Sequence, residues 1–169
     1  MASLPPAPAG WSRFLVKSKF AAGRDFAVLD PDTEEQRYFV DGKMGPRPLA
    51  DVKAGDQVVY QVRGKLLGIP KRMTITDANG TEVGELKAHM FSPIKSRMTL
   101  DVPSGEPWLV EGSLVEKNYS VSSGGKPIIQ ITQKWVTIKD TYTVDVAHGV
   151  DPGMALAVMW SIDRWVERD

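Results

Sequence analysis

Residues 151–166 read DPGMALAVMWSIDRWV, and this stretch decides the fold. Asp151 and Pro152 are residue types preferred at the N-cap and the first position of a helix, so the pattern predicts a helix over about residues 152–166. From Met154 onward the segment is apolar on nearly every face. A helix without a polar face must be buried, so we expect the rest of the chain to enclose it.

Upstream of this helix, one five-residue pattern recurs six times, at intervals of 21 to 24 residues. Each copy has apolar residues at both ends of one face and polar residues on the other face, which is typical of a half-buried strand. The copies are residues 16–20, 40–44, 62–66, 86–90, 110–114 and 131–135. We expect their apolar residues, Met44 among them, to face the interior.

A second strand motif follows most copies and consists of an aromatic residue or Met, a small residue and an aliphatic one. It occurs at residues 26–28, 73–75, 98–100, 119–121 and 142–144. The second repeat offers only residues 49–52, after Pro46 and Pro48, which predicts a short or irregular strand. Turn residues separate the repeats, so six hairpins give about twelve strands. Closure of the sheet would hide its apolar face and its edges.

These elements predict a mainly β fold, a closed twelve-stranded antiparallel β-barrel built from six hairpin repeats around the buried apolar C-terminal helix. A helix of ~15 residues is ~22 Å long, which matches a tilted strand of seven or eight residues. Small residues occupy the middle of the inner face in five repeats, and we expect them to leave room for the helix. They are Ser18, Gly42, Gly64, Ala88 and Gly112. Residues 11–169 are expected to form one domain, preceded by a flexible proline-rich arm at residues 1–10.

Composition limits the classes of function. Lys plus Arg and Asp plus Glu both number 21, and this zero net charge argues against a general nucleic-acid binder. The chain has no cysteine, so disulfides, thiolate metal sites and cysteine nucleophiles are excluded. The N-terminal sequence lacks the features of a secretory signal, and no apolar run is long enough to span a bilayer. We therefore expect a soluble cytoplasmic protein.

Several stretches resemble the LURP-one-related family, which belongs to the superfamily of the tubby C-terminal domain and the phospholipid scramblases. The most specific is KWVTIKDTYTVDVA at residues 134–147, followed by the apolar helix. KSKF at 17–20 and VDGK at 40–43 resemble the first two hairpins of the family. The resemblance covers residues 11–167. Two positions depart from it, since Val136 and Thr143 stand where an aromatic residue and Gly are expected.

The resemblance implies a tubby-like barrel of twelve strands with a buried helix. It implies less about activity. Tubby-like domains bind phosphoinositide headgroups and scramblases act on phospholipids, whereas LURP-one-related proteins mostly lack a defined biochemical role. No lipid-contact residue of the superfamily aligns with a residue of this chain.

Little in the sequence supports catalysis. There is no Gly-x-Ser-x-Gly elbow, and the two histidines, His89 and His148, lie in unrelated contexts. No calcium-binding loop with its terminal Glu is present either. We therefore predict a non-enzymatic protein with no catalytic residue, no metal and no cofactor. Asp163 stands out as a carboxylate late in the apolar helix, either where the helix leaves the barrel or paired inside it.

The strand and loop cations suggest the partner. We predict a module that binds anionic phospholipid or phosphoinositide headgroups peripherally at a membrane surface, since each nearby Lys or Arg contributes ~1 kcal/mol there. The candidate headgroup residues are Lys17, Lys19, Arg63, Lys65, Lys87, Lys71 and Arg72. A solvated belt of strand charges is the alternative interpretation of the strand residues. The basic residues at the hairpin ends would then form a site at the barrel mouth instead, and they are Arg24, Lys71, Arg72, Lys95 and Arg97. A protein-interaction scaffold without lipid activity is the alternative function.

Overall fold

The computed structural model describes residues 6–19, 25–64, 71–92, 94–103, 105–113, 118–133 and 141–168. The elements, in chain order, are β1 (Trp11–Lys19), β2 (Asp25–Leu29), β3 (Gln36–Gly42), β4 (Leu49–Ala54), β5 (Gln57–Gly64), β6 (Arg72–Asp77), β7 (Glu82–Phe91), β8 (Ser96–Asp101), β9 (Trp108–Ser113), β10 (Asn118–Ser123), β11 (Lys126–Thr132), β12 (Thr141–Ala147) and α1 (Pro152–Arg168).

The twelve strands close into one antiparallel barrel in which each strand pairs with its neighbours in the chain. β1 pairs with β12 over seven residues, from Trp11 opposite Ala147 to Lys17 opposite Thr141, and this pairing closes the ring. Alternate residues along the strands are buried, as the period of two in the repeats predicts. The predicted fold class is confirmed.

The C-terminal helix fills the barrel. It begins at Pro152 as predicted, and the Asp151 carboxylate accepts a hydrogen bond of 2.9 Å from the backbone N–H of Gly153, as an N-cap residue does. All residues from Met154 to Trp160 are at most 7% exposed. The helix continues to Arg168, two residues beyond the predicted end.

Tyr60 on β5 fixes the first turn of the helix to the barrel wall. Its hydroxyl donates a 2.5 Å hydrogen bond to Asp151, the residue that caps the helix. Burial, and then this carboxylate, raise the pKa of Tyr60 well above its usual value. A Cβ on Gly153 would lie 2.7 Å from the Tyr60 ring, so only glycine leaves the ring its place. The sequence Asp-Pro-Gly therefore both starts the helix and positions its first turn against β5.

The size of the inward side chains sets the position of the helix, which lies closest to β3, β4, β5 and β12. The described inner face of β3 to β5 carries small residues such as Val40, Ala50 and Val62. The opposite wall carries longer ones, including Met98 and Tyr119. Because interiors are close-packed, the bulkier wall displaces the helix toward the smaller one.

Two of the five small residues, Gly64 and Gly112, have a different reason from the one expected. A Cβ on Gly64 would lie 2.8 Å from Pro48 and 2.9 Å from Met73, and one on Gly112 would lie 2.4 Å from the carbonyl oxygen of Asn118. These neighbours belong to adjacent strands or their connections. At both positions the missing side chain makes room within the wall, and not for the helix.

Candidate functional site

The described candidate cations lie in two parts of the barrel, and their role as a headgroup site stays a prediction. Lys17 lies on β1, and three strands separate it from Arg63 on β5. Arg63, Lys71, Arg72 and Lys87 lie on or beside the neighbouring strands β5, β6 and β7. The other two candidates, the side chain of Lys19 and the whole of Lys65, lie outside the described residues.

Carboxylates of neighbouring strands pair with several cations on the barrel wall. Lys87 lies 3.3 Å from both Glu85 and Asp101, and Arg72 lies 3.6 Å from Glu85. Opposite charges on adjacent strands stabilise a solvated sheet face. These two candidates are therefore balanced locally, which favours the interpretation of the wall charges as a solvated belt.

A second pairing network covers the outside of β3 and β4. The ammonium of Lys43 lies 2.6 Å from Asp41 and 3.6 Å from Asp51, and Lys53 lies 3.4 Å from Asp41. The hydrogen bond between Lys43 and Asp41 lowers the pKa of the carboxyl group and raises the pKa of the ammonium. The wall here is also close to neutral.

The connections between strands divide by charge, because antiparallel neighbours place alternate connections at opposite ends of the barrel. At the end away from the helix start, the described connection residues are 43–48, 71, 92, 94 and 95. They include Lys43, Arg47, Lys71 and Lys95 and contain no Asp or Glu. Together with Arg97, at the start of β8, these residues are called the basic rim below.

Residues 20–24, 65–70, 114–117 and 134–140, which connect other strands, lie outside the described residues. Their sequences contain five Lys or Arg, namely Arg24, Lys65, Lys117, Lys134 and Lys139, against two acidic residues, Glu116 and Asp140. Their composition has the same sign as the basic rim.

The opposite end, where the helix starts, is called the acidic end below. The connections there are residues 30–35, 55–56, 78–81, 102–107, 124–125 and 148–151. Their acidic residues are Asp30, Asp32, Glu34, Glu35, Asp56, Glu106 and Asp151, and their sequences contain no Lys or Arg. The connections described at the two ends of the barrel thus differ in the sign of their charge.

The exposed cations of the basic rim are available to a partner. Arg47, Lys95 and Arg97 are exposed, and none of them makes an ion pair within 4.0 Å among the residues that the structure describes. This arrangement contrasts with Lys87 and Arg72 on the wall. Alternation along a strand predicts which cations point outward, and for this reason the wall cations were the first candidates. Alternation does not predict which acidic residue lies beside each cation.

Two large apolar side chains also protrude from the basic rim. Met44 is 77% exposed and Ile94 is 78% exposed. The expectation that Met44 faces the interior is wrong, because β3 ends at Gly42 and the alternation ends with it. The chain then turns outward at Gly45, whose φ of 132° favours glycine.

Polar contacts stabilise the turns that carry Met44 and Ile94. The Ser92 hydroxyl donates to the carbonyl oxygen of Lys95 at 2.8 Å and accepts from its N–H at 3.1 Å, which closes the turn that carries Ile94. The buried guanidinium of Arg164, on the helix, lies 3.5 Å from the carbonyl oxygen of Gly45. Asp163, beside it in the helix, is half-buried.

The acidic end carries an open cleft of about 730 Å³ between residues 6–7, the turn at 30–32 and strands β1 and β3. Its two guanidinium groups are both paired. Arg13 donates to both carboxylate oxygens of Asp145, at 2.7 and 2.8 Å, and this hydrogen bonding raises the pKa of Arg13. Arg37 lies 3.4 Å from Asp30. The cleft is therefore a polar groove rather than an anion site.

No catalytic constellation emerges from the described part of the chain. His89 hydrogen-bonds Thr99 at 2.7 Å on the outside of the wall, as expected of a strand residue. No group of three or more His, Asp or Glu among these residues could hold a metal ion. That the protein is not an enzyme stays a prediction. None of the described residues forms a helix with the length and apolar content that crossing a bilayer requires.

Fold and site together define a class of protein, a closed β-barrel with its own C-terminal helix packed inside it. The sequence profile of the LURP-one-related family matches residues 12–163, and the chain belongs to this family. The chain is also similar to the uncharacterized protein YxjI of Bacillus subtilis (strain 168), with 22% identity over 159 residues that cover 92% of this chain and 94% of the relative. The predicted family is confirmed.

Proposed function

We propose that this protein is a non-enzymatic module that docks through its basic rim onto anionic phospholipid headgroups, peripherally at the cytoplasmic face of a membrane. The observation that carries the proposal is the axial separation of charge, with the exposed cations Arg47, Lys95 and Arg97 at one end and the acidic connections at the other. The tubby-like superfamily, whose members include phosphoinositide binders, supports the same partner.

The charge arrangement orients the barrel on an anionic surface. Each Lys or Arg near such a surface contributes about 1 kcal/mol, so the three unpaired rim cations contribute about 3 kcal/mol. Strands of this length place the acidic end ~20 Å from the rim, beyond the Debye length of ~8 Å at physiological salt. The anionic surface therefore repels the acidic end only weakly when the basic rim faces the membrane, an orientation called upright below. It repels the acidic end strongly when that end faces the membrane.

A protein-interaction scaffold is the second candidate function. It is favoured by the open cleft at the acidic end, where Pro6 and Ala7 of the proline-rich arm face the turn at 30–32. On an upright barrel this cleft points away from the bilayer. Lipid docking and a protein contact at the cleft are thus compatible, but only the first requires the rim cations.

Vesicle sedimentation with matched triple variants tests the proposal. Replacing Arg47, Lys95 and Arg97 by Gln should weaken binding to phosphatidylserine or phosphoinositide vesicles about 100-fold at low salt, since about 3 kcal/mol is lost. The control replaces three cations at strand ends beside the acidic connections, namely Arg37, Lys53 and Lys126. It should change binding only a few-fold.

Two results would overturn the proposal. The first is the absence of binding by the unmodified protein to anionic vesicles at low salt. The second is an equal loss in the two triple variants, because the acidic end would then contribute as much as the rim. Phosphatidylcholine vesicles and high salt provide the reference for non-electrostatic binding, since screening removes the contribution of exposed charges.

A further inference from the structure

The basic rim carries apolar side chains as well as cations. Among the described residues, the exposed large hydrophobic side chains are Met44, Val58 and Ile94, and Val58 is the least exposed at 37%. Met44 and Ile94 lie in connections of the basic rim, whereas Val58 lies near the start of β5, at the acidic end. Single exposed hydrophobic residues are common. What distinguishes these two apolar tips is their position at the end that also carries the unpaired cations.

Each apolar tip has an unpaired cation close to it in the chain. Arg47 follows Met44 by three residues, and Lys95 is adjacent to Ile94. A cation beside an apolar tip matches the layered chemistry of a bilayer surface, where phosphates lie above the acyl boundary. Water alone does not favour this pairing, because an exposed apolar tip gains nothing there.

The topology places both tips at the same end of the barrel. The connection that carries Met44 and the one that carries Ile94 are four strands apart in a ring of twelve, about a third of the circumference. A barrel of this size is ~20 Å across, so the tips stand well apart around the mouth. An upright barrel would bring both tips to a flat surface together, with Lys71 between them in the strand order.

We propose that Met44 and Ile94 enter the boundary between headgroups and acyl chains, so that docking has an apolar component besides its electrostatic one. This inference rests on the proposed function and names the depth and the anchors of the same site. The closed turn at Ser92 and the contact of Arg164 with Gly45 hold the tips in place, so little chain entropy is lost on insertion.

Single-cysteine labelling tests the insertion directly, because the chain has no cysteine of its own. Met44→Cys, Ile94→Cys and, as the control at the other end, Val58→Cys each receive an environment-sensitive fluorophore. Vesicles of phosphatidylcholine and phosphatidylserine carry a nitroxide on the acyl chain. In the same sample, sedimentation measures the bound fraction and nitroxide quenching measures burial of the label in the lipid.

We expect quenching of the bound protein at positions 44 and 94 and none at 58. The unlabelled double variant M44S/I94S should bind about 100-fold more weakly, roughly tenfold for each side chain partly removed from water, and should melt at the temperature of the unmodified protein. Its residual binding should disappear at high salt, whereas the unmodified protein keeps a salt-resistant fraction.

The two proposals fail in different ways. If the protein sediments with anionic vesicles but neither label is quenched, the apolar insertion is wrong and the electrostatic docking stands. If the unlabelled protein does not sediment with anionic vesicles at all, both proposals are wrong. Quenching at position 58 equal to that at 44 and 94 would also refute the insertion, because it would show that the rim is not the contact.

Discussion

Removing the contact between Tyr60 and Asp151 should release the start of the helix from the barrel wall. The Asp151 carboxylate has two structural partners, the Tyr60 hydroxyl at 2.5 Å and the N–H of Gly153 at 2.9 Å. Tyr60→Phe removes the first partner and leaves the cap. Asp151→Ala removes both.

The expected losses follow from these contacts. One hydrogen bond contributes about 1 kcal/mol net, so Tyr60→Phe should lower the free energy of unfolding by about that amount. Asp151→Ala should cost about 2 kcal/mol, since the N-cap contributes about 1 kcal/mol more. The double variant should be no less stable than Asp151→Ala, which gives a coupling of about 1 kcal/mol. For a chain of this length, each kcal/mol lowers Tm by ~2–4 °C.

Urea denaturation followed by tryptophan fluorescence measures the free energy of unfolding of the unmodified protein, the two single variants and the double variant. Trp160 and Trp165 report on unfolding because both lie on the helix and are buried. Tyr38→Phe is the matched control, since Tyr38 is a half-buried tyrosine at the same end without a hydroxyl hydrogen bond among the described residues. It should cost less than Tyr60→Phe. Additive losses in the double variant, with no coupling, would refute the claim that this contact seats the helix.

Three further predictions concern stability. The raised pKa of Tyr60 means that the unfolded chain loses this proton at lower pH than the folded chain, so unfolding free energy should fall as pH rises above about 10, and less steeply in Tyr60→Phe; a pH series of urea midpoints measures this. Ala157→Asp places an unpaired charge at a fully buried helix position and should abolish cooperative unfolding and near-ultraviolet circular dichroism, whereas a folded variant would contradict the central position of the helix. Asp145→Asn disrupts the bidentate partner of the buried Arg13 and should cost about 3–5 kcal/mol by chemical denaturation, more than replacement of both residues by apolar ones.

The architecture was predictable because its two periodicities are strong. Strict alternation in the repeats requires strands with one buried face, and the apolar run from Met154 requires a covered helix. Together they leave a closed barrel as the arrangement that buries both. The exact neighbours were not predictable, because they depend on register, as Gly64 shows by making room for Pro48 rather than for the helix.

The candidate site was predictable only in part. Alternation placed Lys87 outside correctly, but its pairing with Glu85 and Asp101 depends on which residues of β7 and β8 face each other. The exposure of Met44 depends on where β3 ends, and strand ends are poorly encoded in short patterns. The sequence did contain one signal for the basic rim. In a chain of hairpins, every second connection lies at the same end of the barrel, and dividing the connections in this way already separates the basic ones from the acidic ones.

Energy transfer to a lipid-headgroup acceptor measures most directly which end of the barrel faces the membrane. Donors at Met44→Cys and Val58→Cys stand near opposite ends of the barrel, separated along the axis by about the strand length of ~20 Å. With anionic vesicles, transfer should be much stronger from position 44 than from position 58. Equal transfer from the two positions, or stronger transfer from position 58, would contradict docking through the basic rim.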